Sequence, residues 1–187
     1  MPEESYWESL FDVEAILQRL DIDESLTDVV ELGCGYGTFT IPVARCIRGT
    51  ITTTDIDPEM VARTDQRAKD EGLNNVVCRV GDVLTDGFGV TPGSQDGCLL
   101  FNILHGEEPV RLLTEAAQTL RPGGSVFVIH WRHDPATPRG PSMAIRPKPE
   151  DILAWVNACG LLTQSSAIID LPPWHYGVHL ARCAPSA

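Results

Sequence analysis

A chain of 187 residues, 43% hydrophobic and 21% charged, has the composition of a soluble globular protein and is long enough for one domain (1–187) with a sizeable core. Its net charge of −12, with only two lysines (Lys69 and Lys148), argues against nucleic acid as a partner, because phosphate binding needs clustered Lys and Arg. No apolar stretch approaches the roughly 20 residues that cross a bilayer, and the acidic start MPEESYWESLF lacks the basic region of a secretory signal. No membrane partner and a cytoplasmic location are therefore expected.

From the N-terminus, Ser5 and Glu8 form an S-x-x-E pattern that predicts a capped helix over about 5–20, with Trp7, Leu10, Phe11, Leu17 and Leu20 on its apolar face. An apolar run then predicts a strand at about 28–33. The glycines that follow lead into a helix at about 38–47, in which Pro42 is tolerated because first-turn amides are unpaired. A Thr- and Ile-rich strand at about 50–55 precedes Asp57-Pro58, a helix cap with a first-turn proline, and Gly72 marks that helix's end. Further strands are predicted at about 76–80 and 97–102. A helix over Glu108–Leu120 stops at Arg121-Pro122-Gly123-Gly124, and a fifth strand runs from Ser125 to Trp131.

Residues 132–149 carry five prolines in eighteen positions and predict a long irregular connection, a kind of loop that is usually functional or disordered. A helix near 150–159, stopped by Gly160, leads into strand-like runs at 162–170 and 176–183, read as an antiparallel hairpin. The pattern is α/β: a Rossmann-like doubly wound sheet of about seven strands, mostly parallel, with helices on both faces. No internal repeat and no linker is visible.

The glycine loop carries the chemistry. A strand, a glycine-rich turn and a helix N-terminus let backbone approach a small ligand closely. Asp55, at the tip of the next strand, is placed to accept from both hydroxyls of a ribose. A dinucleotide fingerprint is G-x-G-x-x-G, but here the order is Glu31-Leu32-Gly33-Cys34-Gly35-Tyr36-Gly37. A carboxylate at Glu31 suits a cationic ligand and repels a pyrophosphate. The six cysteines show no C-x-x-C pair, and His130 and His133 leave a strand for a loop instead of sharing a helix face. No metal is expected.

This E-x-G-x-G-x-G segment resembles the first motif of class I S-adenosylmethionine-dependent methyltransferases. The resemblance extends over roughly 26–183. Thr54-Asp55-Ile56-Asp57-Pro58 is similar to the motif whose acid binds ribose and whose next apolar residue packs on adenine. Gly81-Asp82-Val83 is similar to the adenine-contacting motif, and Leu120-Arg121-Pro122-Gly123-Gly124 to the turn before the fifth strand. The resemblance implies S-adenosyl-L-methionine as cofactor, held by Glu31, Gly33, Cys34, Gly35, Tyr36, Gly37, Asp55, Ile56, Gly81, Asp82, Val83 and Asn102.

The fourth strand ends Asn102-Ile103-Leu104-His105-Gly106, unlike the D/N-P-P-Y/F of enzymes that methylate base or glutamine amino groups. It resembles small-molecule methyltransferases around quinone biosynthesis, which implies a small-molecule acceptor. His105 is the candidate base, and Tyr6, Trp7, His130, Trp131, Arg132 and Arg139 are candidate acceptor contacts, the two arginines favouring an acidic or polar molecule. An activated methyl on a sulfonium needs alignment more than acid–base help, and orientation can supply up to ~7–11 kcal/mol of a barrier. Two rival readings are a non-catalytic methyltransferase-like binding module and a nicotinamide-dependent oxidoreductase. The oligomeric state is open, a homodimer included.

Overall fold

The elements follow one another as α1 (Glu4–Glu8), α2 (Val13–Arg19), β1 (Val29–Leu32), α3 (Thr40–Cys46), β2 (Ile51–Asp55), α4 (Pro58–Asp70), β3 (Val76–Val80), α5 (Val83–Asp86), β4 (Gln95–Phe101), α6 (Pro109–Thr119), β5 (Leu120–Trp131), α7 (Pro149–Cys159), β6 (Leu162–Gln164), β7 (Ile169–Leu171) and β8 (His175–Arg182). They are seen in a computed structural model that describes residues 2–184. Met1 and residues 185–187, the ends of the expected 1–187 domain, lie outside the described residues.

All strands join one sheet in the order β3-β2-β1-β4-β5-β8-β6, with β7 also paired to β8. Strands β1 to β5 are parallel and β8 runs antiparallel to β5. Period-two alternation sorts the central side chains onto two faces. Val30, Cys98, Leu100, Val126 and Val128 pack with Leu113, Ala117, Ile152 and Val156 from α6 and α7. Val29, Ile51, Leu99, Phe127 and Ile129 pack with Ile16, Leu20, Val43 and Ala44 from α2 and α3. Burial on both faces explains why β4 reads as one apolar run in the sequence.

The order reverses between β1 and β4. From β1 the chain winds outward through β2 and β3, then returns to lay β4 on the opposite side of β1. The two connections diverge there and leave a crevice at the carboxyl ends of the strands, where open α/β sheets take ligands.

Two sequence expectations are corrected and a third is refined. The single helix over 5–20 is two short helices, α1 and α2. The cap of α1 is Glu3, whose carboxylate accepts from the Ser5 and Tyr6 amides, and Asp12 caps α2 through the Ala15 amide. The S-x-x-E pattern missed this because Ser5 already lies inside the helix and its hydroxyl donates to Glu3. The fold class stands, with eight strands where the sequence predicts about seven; the one detail that differs is that the 162–170 run breaks into β6 and β7 along the same edge of β8. Ser165 turns both its amide and its hydroxyl to the His179 carbonyl at the break. Finally, strand pairing starts at Leu120, opposite Gln95, so the R-P-G-G segment is an irregularity within β5 and not a turn ahead of it.

Candidate active site

The loop after β1 takes its shape from three glycines at positive φ: Gly33 at 85°, Gly35 at 52° and Gly37 at 76°. These are left-handed angles that side chains rarely tolerate. At Gly33 a Cβ would also come within 3.1 Å of Ile103 Cδ1. The loop is held from the neighbouring strand. Asp55 Oδ2 accepts from the Gly35 amide at 3.1 Å, and Oδ1 accepts from the Asp57 amide at 3.0 Å. Oδ2 also accepts weakly from the Cys34 thiol at 3.8 Å, while Oδ1 retains a further lone pair for a ligand.

Glu31, at the end of β1, is 2% exposed and accepts from Thr40 Oγ1 at 2.5 Å. Burial pushes its carboxyl up to about 7, against the opposing Thr40 hydrogen bond. Asp82 caps α5 by accepting from the Leu84 amide at 2.9 Å. Asn102 closes β4 at φ 59°, a left-handed angle that Asn tolerates better than most residues, and its amide donates to the Ile129 carbonyl.

These residues line a cavity of about 470 Å³. Of the sequence candidates, Glu31, Gly33, Cys34, Gly35, Asp55, Ile56, Gly81, Asp82, Val83, Asn102 and Trp7 form its walls. Ile56 is 72% exposed over it, an isoleucine face without a protein neighbour to cover it.

Other candidates lie elsewhere. Tyr36 is buried, donating its hydroxyl to the Pro2 carbonyl at 2.5 Å beneath the Arg63 guanidinium. Gly37 packs against Ile41 and Thr64. The cavity touches Leu104 and Gly106 but not His105 between them. The His105 ring lies edge-to-face with His130, centroids 5.6 Å apart, and burial pulls its imidazole below the ordinary value.

The acceptor contacts expected around β5 do not reach the cavity either. His130 is fully buried and its imidazole is pushed down to about 3, mainly by burial, so it is a neutral core group. Trp131, 2% exposed, packs against Trp7, Phe11 and His175. Tyr6 faces outward from α1. Arg132 pairs with Asp170 and donates to the His175 carbonyl, while Arg139 is exposed and only its carbonyl is engaged, by Arg146.

The Pro-rich loop owes its form to Arg146, which no sequence signal singled out. Its buried guanidinium donates to the carbonyls of Arg132, Asp134, Arg139 and Pro141 and to Thr137 Oγ1. The loop is therefore tied to the end of β5. Sequence reasoning also missed Thr38, Phe39, Met60, Phe101, Leu104 and Leu112 as cavity walls, because apolar residues in core elements give no sign of facing a void.

The walls suit a nucleoside with a cationic tail. Asn102 Oδ1 and Thr38 Oγ1 are buried without a partner among the described residues, so no protein bond need break for either to meet a ligand. Carboxylates stand at Glu31, Asp55 and Asp82, and the lining holds no Lys or Arg to receive a phosphate.

Fold and site define a class I S-adenosylmethionine-dependent methyltransferase, and S-adenosylmethionine is its cofactor. The chain belongs to the methyltransferase-domain family, whose model matches residues 29–124, the whole span from β1 to the R-P-G-G segment. Among individual proteins it is similar to a ubiquinone biosynthesis O-methyltransferase of Xanthomonas euvesicatoria, 26% identical over 170 residues that cover 82% of this chain and 70% of the relative. A 71-residue stretch, 38% of this chain and 16% of the relative, is 37% identical to a 23S rRNA (uracil-C5)-methyltransferase of Methylococcus capsulatus. A crystal structure of a SAM-dependent methyltransferase from Aquifex aeolicus shares the fold at a TM-score of 0.84 and 19% identity, covering 97% of this chain and 94% of that one.

Proposed function

We propose that this methyltransferase acts on a small-molecule acceptor, with its cofactor laid across the carboxyl ends of β2, β1 and β4. Asp55 holds the ribose hydroxyls, Ile56 and Val83 sandwich the adenine, and Asp82 accepts from its exocyclic amine. The Gly33–Gly37 loop, Glu31 and Asn102 surround the methionine end. The observation that carries this reading is the Asp55 carboxylate, already oriented by the Gly35 and Asp57 amides at the cavity wall before any ligand arrives. Such preorganisation lowers the cost of binding.

The transfer itself is an in-line displacement. Bound there, the cofactor would supply a methyl group activated on a sulfonium, with a neutral thioether as the leaving group. What the chain supplies is alignment and a dry wall around the reacting atoms. Trp7, Phe39 and Phe101 form that wall.

A small acceptor is favoured over RNA because the described cavity lining holds no Lys or Arg and the chain's net charge is −12, neither of which suits a phosphodiester backbone. The relatedness to a ubiquinone-pathway O-methyltransferase points the same way. The test is calorimetry with S-adenosylmethionine and S-adenosylhomocysteine, followed by radiolabelled methyl transfer to a small-molecule library and to total RNA. Binding of both cofactor forms with label entering small molecules is expected. Label entering RNA alone rejects the small acceptor, and binding without any transfer supports a non-catalytic module.

A further inference from the structure

With the cofactor accounting for Glu31, Asp55 and Asp82, what remains of the cavity is apolar on one side and acidic toward α5. The apolar side is Trp7, Phe39 and Phe101, braced from behind by Phe11. Phe11 meets Trp7 at a centroid distance of 4.9 Å and Phe39 at 5.2 Å, and Phe39 meets Phe101 at 4.8 Å. Glu107 and Glu108 stand toward α5, where Glu108 pairs with Arg111, itself bonded to the Leu84 carbonyl.

Among the described residues no Lys or Arg lines this space, and several guanidinium groups of the surrounding elements are engaged elsewhere. Arg67 pairs with Glu8 and Glu71, Arg111 with Glu108 and the Leu84 carbonyl, Arg132 with Asp170, and Arg146 is buried among carbonyls. The neighbouring imidazoles are no substitute: burial holds His130 and His175 at about 3 and lowers His105, so all three are neutral at pH 7.

We infer that the acceptor carries no negative charge and presents an apolar body to the Trp7–Phe39–Phe101 wall, so that carboxylate- and phosphate-bearing acceptors are excluded. This deepens the functional reading above and rests on it. The physical reason is desolvation: an anion entering beside the aromatic wall gives up water and finds no side-chain counter-charge among the described lining residues. An uncharged apolar body loses nothing on entry and covers aromatic surface. The same argument reverses the preference for acidic acceptors that Arg132 and Arg139 suggest in the sequence, since neither reaches the cavity.

The experiment uses the full chain loaded with S-adenosylhomocysteine and two probes of one shape, 2-naphthylmethanol and 2-naphthoate, titrated by NMR at pH 7.5. The alcohol is expected to bind at least tenfold more tightly than the carboxylate, and Trp7→Ala to weaken the alcohol. Equal or tighter binding of naphthoate overturns the charge rule, and failure of the alcohol to bind, or its indifference to Trp7→Ala, overturns the apolar wall. Affinity for S-adenosylhomocysteine is measured beforehand. Its absence brings down the functional reading, whereas its presence with the wrong probe order brings down this inference alone.

Discussion

Thr40 Oγ1 donates a 2.5 Å hydrogen bond to Glu31 Oε2, and both residues are buried. A lone hydroxyl only partly offsets the loss of water around a carboxylate, so the proton stays on Glu31 to about 7 in the folded chain, against 4.5 as its ordinary value. The sign follows from linkage. Below 4.5 both folded and unfolded forms are protonated; above it only the unfolded chain sheds the proton. Stability is therefore highest at low pH on this account and falls as pH rises to about 7, by roughly 3 kcal/mol at most. Denaturant titrations of Glu31→Gln should lose this slope between pH 5 and 7. A cation bound beside Glu31 should in turn expel the proton, so cofactor-binding enthalpy measured near pH 6 should differ between buffers of different ionisation enthalpy.

Asp55→Ala removes an acceptor of the Gly35 and Asp57 amides as well as the proposed ribose ligand. Hydrogen bonds to a charged group are worth about 1.5–3 kcal/mol each, so the affinity for S-adenosylhomocysteine should fall tenfold or more. Asp55→Asn retains one acceptor oxygen and should fall between wild type and Asp55→Ala. Calorimetry decides; unchanged affinity in both variants removes Asp55 from the site.

At Gly35, φ is 52°. A β-branched residue there is strained by about 1–3 kcal/mol. Gly35→Val should therefore lower the melting temperature as well as abolish cofactor binding, and Gly35→Ala should show a milder form of both. Normal binding by a folded Gly35→Val variant would contradict the cradle.

The N-terminal helix is clasped over the glycine loop. Glu4 and Glu8 pair with Arg63 and Arg67 on α4, and Arg67 also donates to the Tyr36 carbonyl. These are partly exposed ion pairs, weak singly and screened by salt. Removing residues 1–10 should slow methyl transfer while changing cofactor affinity little, because Trp7 alone among the described residues of this segment lines the cavity. Equal turnover after the deletion would show that α1 is no lid.

Arg146 predicts the opposite division for the Pro-rich loop. Arg146→Met leaves the carbonyls of Arg132, Asp134, Arg139 and Pro141 without their donor, so the 132–147 amides should gain hydrogen exchange and the protein should lose about 1–3 kcal/mol. Arg132→Ala with Arg139→Ala should leave cofactor affinity unchanged.

The sequence by itself carried the family and most of the fold. Strands buried on both faces read as apolar runs, glycines mark backbone that no side chain permits, and Asp57-Pro58 and Gly160 mark helix ends through local chemistry. Each of these is a short-range constraint, written into neighbouring residues. Local pattern misled where a competing group lay two residues away: Glu3, not Ser5, caps α1.

Only the tertiary structure decided which side chains face the void. His130 and Trp131 close the strand from which the loop at Arg132 departs, yet both are sealed in the core, Trp131 against Trp7 and His175 and His130 against His105 and Tyr176. Phe39, Phe101 and Leu104 are buried core residues that also line the cavity. Whether a side chain meets solvent, ligand or protein depends on what packs against it from distant parts of the chain. Arg146 shows the same dependence, since its role exists only once a loop has folded around it.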